Sequence, residues 1–155
     1  MTSATQEPAT TSVERRISEL TALLEKGMAE GIGVGDSLGV MCAELGEGRA
    51  VYTLKPGPAQ ANAMLTVHGG VLSTLMDTAM GSSVFTRLPD ATLYTTLELK
   101  VNFVRPVALD DGELRCEAQT VHVGRRTATA EARVYNADDK LVAHGICTCL
   151  VQSFG

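Results

Sequence analysis

The 155-residue chain has no apolar run approaching the roughly 18 to 20 residues of a membrane span. Its first residues, MTSATQEPATTS, lack both the charged start and the apolar segment of a secretory signal, so a cytoplasmic protein without a membrane partner is expected. Basic charge is not in excess either: 13 Lys and Arg face 18 Asp and Glu, for a net charge of −5. That balance argues against nucleic acid as a partner, and an anionic ligand would need a local basic cluster. There is no CxxC pair among Cys42, Cys116, Cys147 and Cys149, which are expected to be reduced small hydrophobes. Cys147 and Cys149 fall on one face of one strand, a poor disulfide geometry. A zinc site from these two and His144 is conceivable, but no metal-ligand spacing accompanies them and no metal is expected. Internal repeats and a G-x-S-x-G nucleophile elbow are also missing.

What is present fits one domain, with 45% apolar and 20% charged residues. Residues 1–12 are polar and read as a disordered tail, leaving 13–155 as the folded domain. Thr11 and Glu14 have capping-box spacing, and Val13, Ile17, Leu20, Leu24 and Met28 recur at helical intervals, predicting an amphipathic surface helix that the glycines of Gly31 to Gly35 end. Strands are predicted over Leu38–Leu45 and Arg49–Leu54, joined by a Gly46-Glu47-Gly48 hairpin. A Pro- and Gly-containing loop follows, and then a helix from about Val71. After Pro89 the chain alternates as strands: Ala91–Val104, Glu113–Val123, Thr127–Asn136 and Leu141–Gln152. Consecutive antiparallel strands with one apolar helix to cover predict an α+β domain, a curved antiparallel sheet wrapped around that helix, with an additional N-terminal helix. Ferredoxin-like packing fits less well, because the two helices are unlike in polarity and separated by a hairpin.

Between Lys55 and Arg87 the only formal charge is Asp77, midway along the small-residue apolar run VLSTLMDTAMGSSVF. A carboxylate buried in such a helix is costly unless something uses it. Asn62 lies six residues before His68, Gly69 and Gly70 follow it, and Asp77 lies nine residues after it. Glycines at a helix start permit close backbone approach, and the first N–H groups of a helix have no internal partner, so this turn is a candidate oxyanion site. In Ala91–Val104, Leu93, Leu97, Leu99, Val101 and Phe103 share one register, and Thr95 is the lone hydroxyl on that side. Thr96 takes its place if the register slips by one. His122 and His144 have no assignable partner.

The strings NAMLTVHGGVLSTLMDTAMG, YTTLELKVNFVRPV and HVGRRTATAEARVYN resemble the hotdog-fold acyl-CoA thioesterases of the phenylacetate-degradation (PaaI-like) type, in the 4-hydroxybenzoyl-CoA thioesterase superfamily. The resemblance covers roughly Leu38 to Val151. It implies hydrolysis of an acyl-CoA, aromatic or aliphatic, to a carboxylic acid and coenzyme A, with no cofactor beyond the coenzyme A of the substrate. It also implies a homo-oligomer, a dimer and further a tetramer as a dimer of dimers, with active sites across the dimer interface. Asp77 of one subunit would then be nucleophile or general base, and the Gly69 N–H of the other would polarise the carbonyl. Asn62 would hold water or the thioester, His68 would fix the helix turn, and Thr95 would position the water. The pantetheine arm would run along Asn102, Val104, Arg105 and Pro106 and along Val123, Gly124 and Arg125, with Arg105, Arg125 and Arg126 meeting the phosphates. Alternatives are a non-catalytic acyl-CoA-binding regulator, a hotdog enoyl-CoA hydratase, and a purely structural oligomerisation module.

Overall fold

The computed structural model describes residues 10–154. Most of the expected tail lies outside that range, but Thr11 caps and Ser12 begins the first helix, α1 (Ser12–Glu30). The Thr11 side chain accepts the Glu14 N–H at 3.2 Å while the Glu14 carboxylate accepts the Thr11 N–H at 2.7 Å, the reciprocal capping the spacing predicts. Gly31 ends the helix in the left-handed region, at φ 64°. The GIGVG segment does more than stop it. A five-residue helix, α2 (Val34–Leu38), follows, so β1 (Val40–Gly46) starts two residues later than the alternation of apolar residues indicates.

β1 pairs antiparallel with β2 (Arg49–Leu54), and Gly48 at φ 65° supplies the hairpin turn. A single 3-10 turn, Pro58–Gln60, leads to α3 (Gly69–Phe85), and then β3 (Thr92–Phe103), β4 (Leu114–Val123), β5 (Thr127–Tyr135) and β6 (Leu141–Ser153) complete the chain. All six strands form one antiparallel sheet in the order β1-β2-β4-β5-β6-β3. The sheet packs around α3, which is the hotdog architecture the resemblance implies. No helix among the described residues is long and apolar enough to cross a membrane.

α3 is apolar around most of its circumference, with Leu72, Leu75, Met76, Ala79, Met80 and Val84 fully buried against the sheet. The buried hydroxyl residues at its C-terminal end are satisfied rather than stranded: Tyr52 and Ser82 share a hydrogen bond of 2.8 Å, Thr120 donates to Ser83, and Thr86 accepts the Gly48 N–H. β3 meets α3 so closely that a Cβ on Gly81 would lie 2.1 Å from the Tyr94 hydroxyl oxygen. Only glycine fits there.

Arg16 is the least expected feature of α1. Its place among the polar residues of the helix suggests solvent, yet it is 2% exposed. Its guanidinium donates to the Thr92 carbonyl and to Glu19, each at 2.7 Å, and lies 3.8 Å over the Phe85 ring. A cation over an aromatic face beside the last residues of α3 ties α1 to both α3 and β3.

Candidate active site

The start of α3 lies two residues earlier than expected, because His68 is its N-cap. The His68 Nδ1 accepts the Gly70 N–H at 2.8 Å, so a neutral ring carries its proton on Nε2. The Val71 and Leu72 N–H groups donate to the His68 carbonyl. Gly69 is thereby left as the one N–H of this first turn with no acceptor among the described residues. A Cβ at Gly69 would sit 3.1 Å from the Phe103 ring, and one at Gly70 would sit 3.0 Å from the His68 Nδ1. Both glycines therefore answer close approach.

Asn62 works on its own loop. Its side-chain oxygen accepts the N–H groups of Met64 and Thr66, and its amide nitrogen donates to the Thr66 hydroxyl at 2.9 Å. These bonds hold a turn in which Leu65 adopts φ 59°, a left-handed conformation that costs a non-glycine residue about 1 kcal/mol or more. One amide hydrogen of Asn62 has no acceptor among the described residues. Asn62 and Gly69 line a cavity of about 300 Å³ together with Phe103, Val104, Arg105 and Pro106, so the turn, the free N–H and this part of the expected coenzyme A groove do come together.

Asp77 is half-buried and forms no ion pair among the described residues. Its partner is Thr96, whose hydroxyl donates to Asp77 Oδ1 at 2.9 Å. Thr95 is exposed on the other face of β3, which corrects the register expected from alternation. The cause is a β-bulge: Thr96 pairs with Cys149 and Glu98 with Thr148, so Leu97 is an extra residue. Thr92, Tyr94 and Thr96 face the helix before the bulge, whereas Leu99, Val101 and Phe103 face it after, and Leu93 and Leu97 point outward. Tyr94 completes the wall beside the acid. Burial first, and the nearby Asp77 carboxylate second, push its phenol above the ordinary value, so it stays neutral. Behind Thr96, the Cys149 sulfur lies 4.0 Å from the hydroxyl and 3.8 Å from that of Cys147. Both are free thiols, and His144 lies on the opposite face of β6.

The basic residues do not gather within one chain. Arg105 follows the end of β3, where its N–H bonds to the Val142 carbonyl, and its side chain donates to the Leu141 carbonyl. The Arg126 carbonyl instead accepts from Val151 at the other end of β6, nine residues away or roughly 30 Å along the strand. Val123, Gly124 and Arg125 share that distant turn. The Asn102 side chain faces outward with Lys100 and His144, away from the cavity beside Gly69. Gly69 and Asp77 are likewise separated: eight residues of one helix put them roughly 12 Å apart.

The residue pattern that decides the family lies between Met64 and Ala143. The profile of the thioesterase superfamily matches residues 64–143, a span that holds His68, Gly69, Gly70, Asp77 and Thr96. The chain belongs to the thioesterase superfamily. This is a family of thioester hydrolases, and the chain is a PaaI-like hotdog member of it. A Halobacterium salinarum protein that carries an esterase name is 36% identical over 85 residues, which cover 54% of this chain. The match spans about half, 52%, of that relative's length. A conserved Pseudomonas aeruginosa protein of known structure is 37% identical with a TM-score of 0.73, covering 77% of this chain and 94% of its own. A mutant of the phenylacetic acid degradation protein PaaI from Thermus thermophilus is 29% identical with a TM-score of 0.68, over 75% of this chain and 96% of that one. A Streptococcus pneumoniae thioesterase protein solved with coenzyme A is 26% identical, also with a TM-score of 0.68, over 74% and 86%.

Proposed function

We propose that the protein is a cytoplasmic acyl-CoA thioesterase that works as a homodimer or a dimer of dimers, with each active site built from two copies. The observation that carries this reading is the separation of Gly69 from Asp77 on one rigid helix. A carbonyl oxygen within about 3 Å of the Gly69 N–H cannot also offer its carbon to Asp77 of the same chain. A second copy removes the difficulty. β3 is one of the two edge strands of the sheet, bonded among the described residues only to β6, and is a template for antiparallel pairing with its own copy. Such pairing sets the Phe103 end of one β3 beside the Thr92 end of the other. It thereby brings Arg105 of one copy to the same side as Arg125 and Arg126 of its neighbour, where the coenzyme A phosphates would be met. The coenzyme A held by the Streptococcus pneumoniae relative agrees with that choice of ligand.

In this reading the Gly69 N–H of one subunit hydrogen-bonds the thioester carbonyl oxygen and stabilises the charge that develops on it. Asp77 of the other takes a proton from water as the water oxygen attacks the carbonyl carbon, or attacks that carbon itself and is released by water in a second step. The carbon–sulfur bond breaks, the coenzyme A thiolate leaves, and it recovers the proton. Thr96 holds the Asp77 carboxylate in place. His68 shapes the turn that aims the Gly69 N–H, and Asn62 holds the preceding loop and has one amide hydrogen to offer.

The test pairs two disabled variants. Asp77→Asn removes the acid, and Gly69→Pro removes the N–H at the first helical position, where proline is tolerated. Each alone should lose about 10²-fold or more in thiol release from acyl-CoA esters. Mixed and reassembled in equal amounts, they should recover about a quarter of wild-type activity, because half the dimers are mixed and each has one intact site. No recovery despite demonstrated mixed dimers would place both groups in one subunit and defeat the reading. Single-turnover hydrolysis in ¹⁸O-labelled water tests the nucleophilic role, since label enters the Asp77 carboxylate only if Asp77 formed an anhydride that water opened at the aspartyl carbon.

A further inference from the structure

A second concavity, of about 790 Å³, reaches α3 at Thr78 and shares no lining residue with the cavity beside Gly69. It runs between α1 and β1. Ile17, Leu24 and Met28 line it from one face of α1, Ile32 from the following loop, Met41 from β1, and Thr78 from α3. The apolar stripe of α1 is thus spread over a cleft rather than pressed into the core: Met28 is 40% exposed, Ile32 62% and Met41 44%. Apolar side chains left this open around a concave space mark a binding site more often than a folding defect.

Three observations identify the occupant. Thr78, the lining residue that α3 contributes, is the residue after Asp77, so a ligand held at Asp77 has to cross only one residue of α3 to reach the cleft. The walls are mostly aliphatic side chains and methionine with a single aromatic residue, Tyr52, a lining that suits a hydrocarbon chain better than the stacking of a planar ring. Finally, every lining residue named except Thr78 lies outside the region matched by the family profile, so the residues that shape the cleft are not those that define the shared site.

We propose that this cleft is the acyl-chain site, that α1 is its roof, and that the substrates are medium- to long-chain aliphatic acyl-CoA esters. The inference rests on the thioesterase reading above and assigns its acyl specificity. The thioester carbonyl stays at Asp77, the coenzyme A lies towards the arginines, and the hydrocarbon tail passes Thr78 to lie under Leu24 and Met28. Each methylene buried there favours binding, so preference should rise with chain length until the cleft is full.

The test measures thiol release from straight-chain esters, acetyl to hexadecanoyl, by the wild-type protein and by Met28→Trp and Ile32→Trp, which fill the cleft. Calorimetric binding of dodecanoate, the free-acid product, is measured on the same three proteins. The wild type should prefer dodecanoyl over butanoyl about tenfold or more in kcat/KM. Each tryptophan variant should reduce that ratio about fivefold or more and weaken dodecanoate binding to match. Ile32 sits on an exposed loop, so its variant carries the test even if Met28→Trp does not fold. An unchanged length profile and unchanged dodecanoate affinity in a folded tryptophan variant would overturn the proposal. Dodecanoate bound in the cleft without hydrolysis of any ester would sink the thioesterase reading and leave the cleft assignment standing; hydrolysis indifferent to a filled cleft would do the reverse.

Discussion

Asp77 shows how one contact redistributes roles among neighbouring residues. Its bond from Thr96 places a neutral donor, not a cation, against the carboxylate and fixes the direction in which one of its oxygens points. Thr96→Val should therefore reduce kcat by about 10- to 100-fold, the worth of a hydrogen bond to a charged group, with a smaller change in KM. Thr95→Val, on the opposite face of the strand, should stay within about twofold in steady-state assays. The acid, the His68 turn and the glycines could be read from the amino acids, because a single charge in an apolar run and two adjacent glycines are unusual choices that chemistry explains. The hydroxyl partner could not. Alternation has period two, and one extra residue at Leu97 inverts every side chain before it without altering composition.

Among the elements, α3 and β3 depend on each other's smallest and largest side chains. Gly81→Ala would drive a methyl into Tyr94, and overpacking of this kind costs about 1 to 3 kcal/mol. A lower urea midpoint with an unchanged m value would record it. α1 is held differently, through the buried Arg16. Arg16→Ala removes two hydrogen bonds and the contact with Phe85, so it should cost about 2 kcal/mol, lower Tm by roughly 5 °C, and speed proteolysis within α1. Helix and strand positions were legible because apolar spacing follows each element's own geometry: β2 runs Arg49–Leu54 as read, and β4, β5 and β6 differ by a residue at their ends. α2 escaped because five residues flanked by glycines carry too little periodicity to register. Arg16 escaped because an aromatic ring 69 positions away decides its burial.

Over the whole molecule, the polar groups kept neutral in the core set its response to alkali. Burial, with a smaller effect of Glu117, pushes the Cys116 thiol up to about 12 from an ordinary 9.0, and burial likewise raises Tyr52 and Tyr94. The unfolded chain releases these protons first, so the stability they contribute is complete below pH 9.0 and declines from there towards pH 12. The slope should approach about 1.4 kcal/mol per pH unit for Cys116 alone. Urea midpoints measured at pH 8, 9 and 10 should fall accordingly, and Cys116→Ala should flatten the fall although it starts from a lower value. The spacing of Gly69 and Asp77 has a consequence of another kind. A helix neither stretches nor folds back, so on the proposed two-copy reading a solitary protomer should be chemically inert however perfectly it folded. On dilution below the dissociation constant, the total rate should drop with the square of protein concentration and the rate per protomer in proportion to it, making self-association itself a control on catalysis.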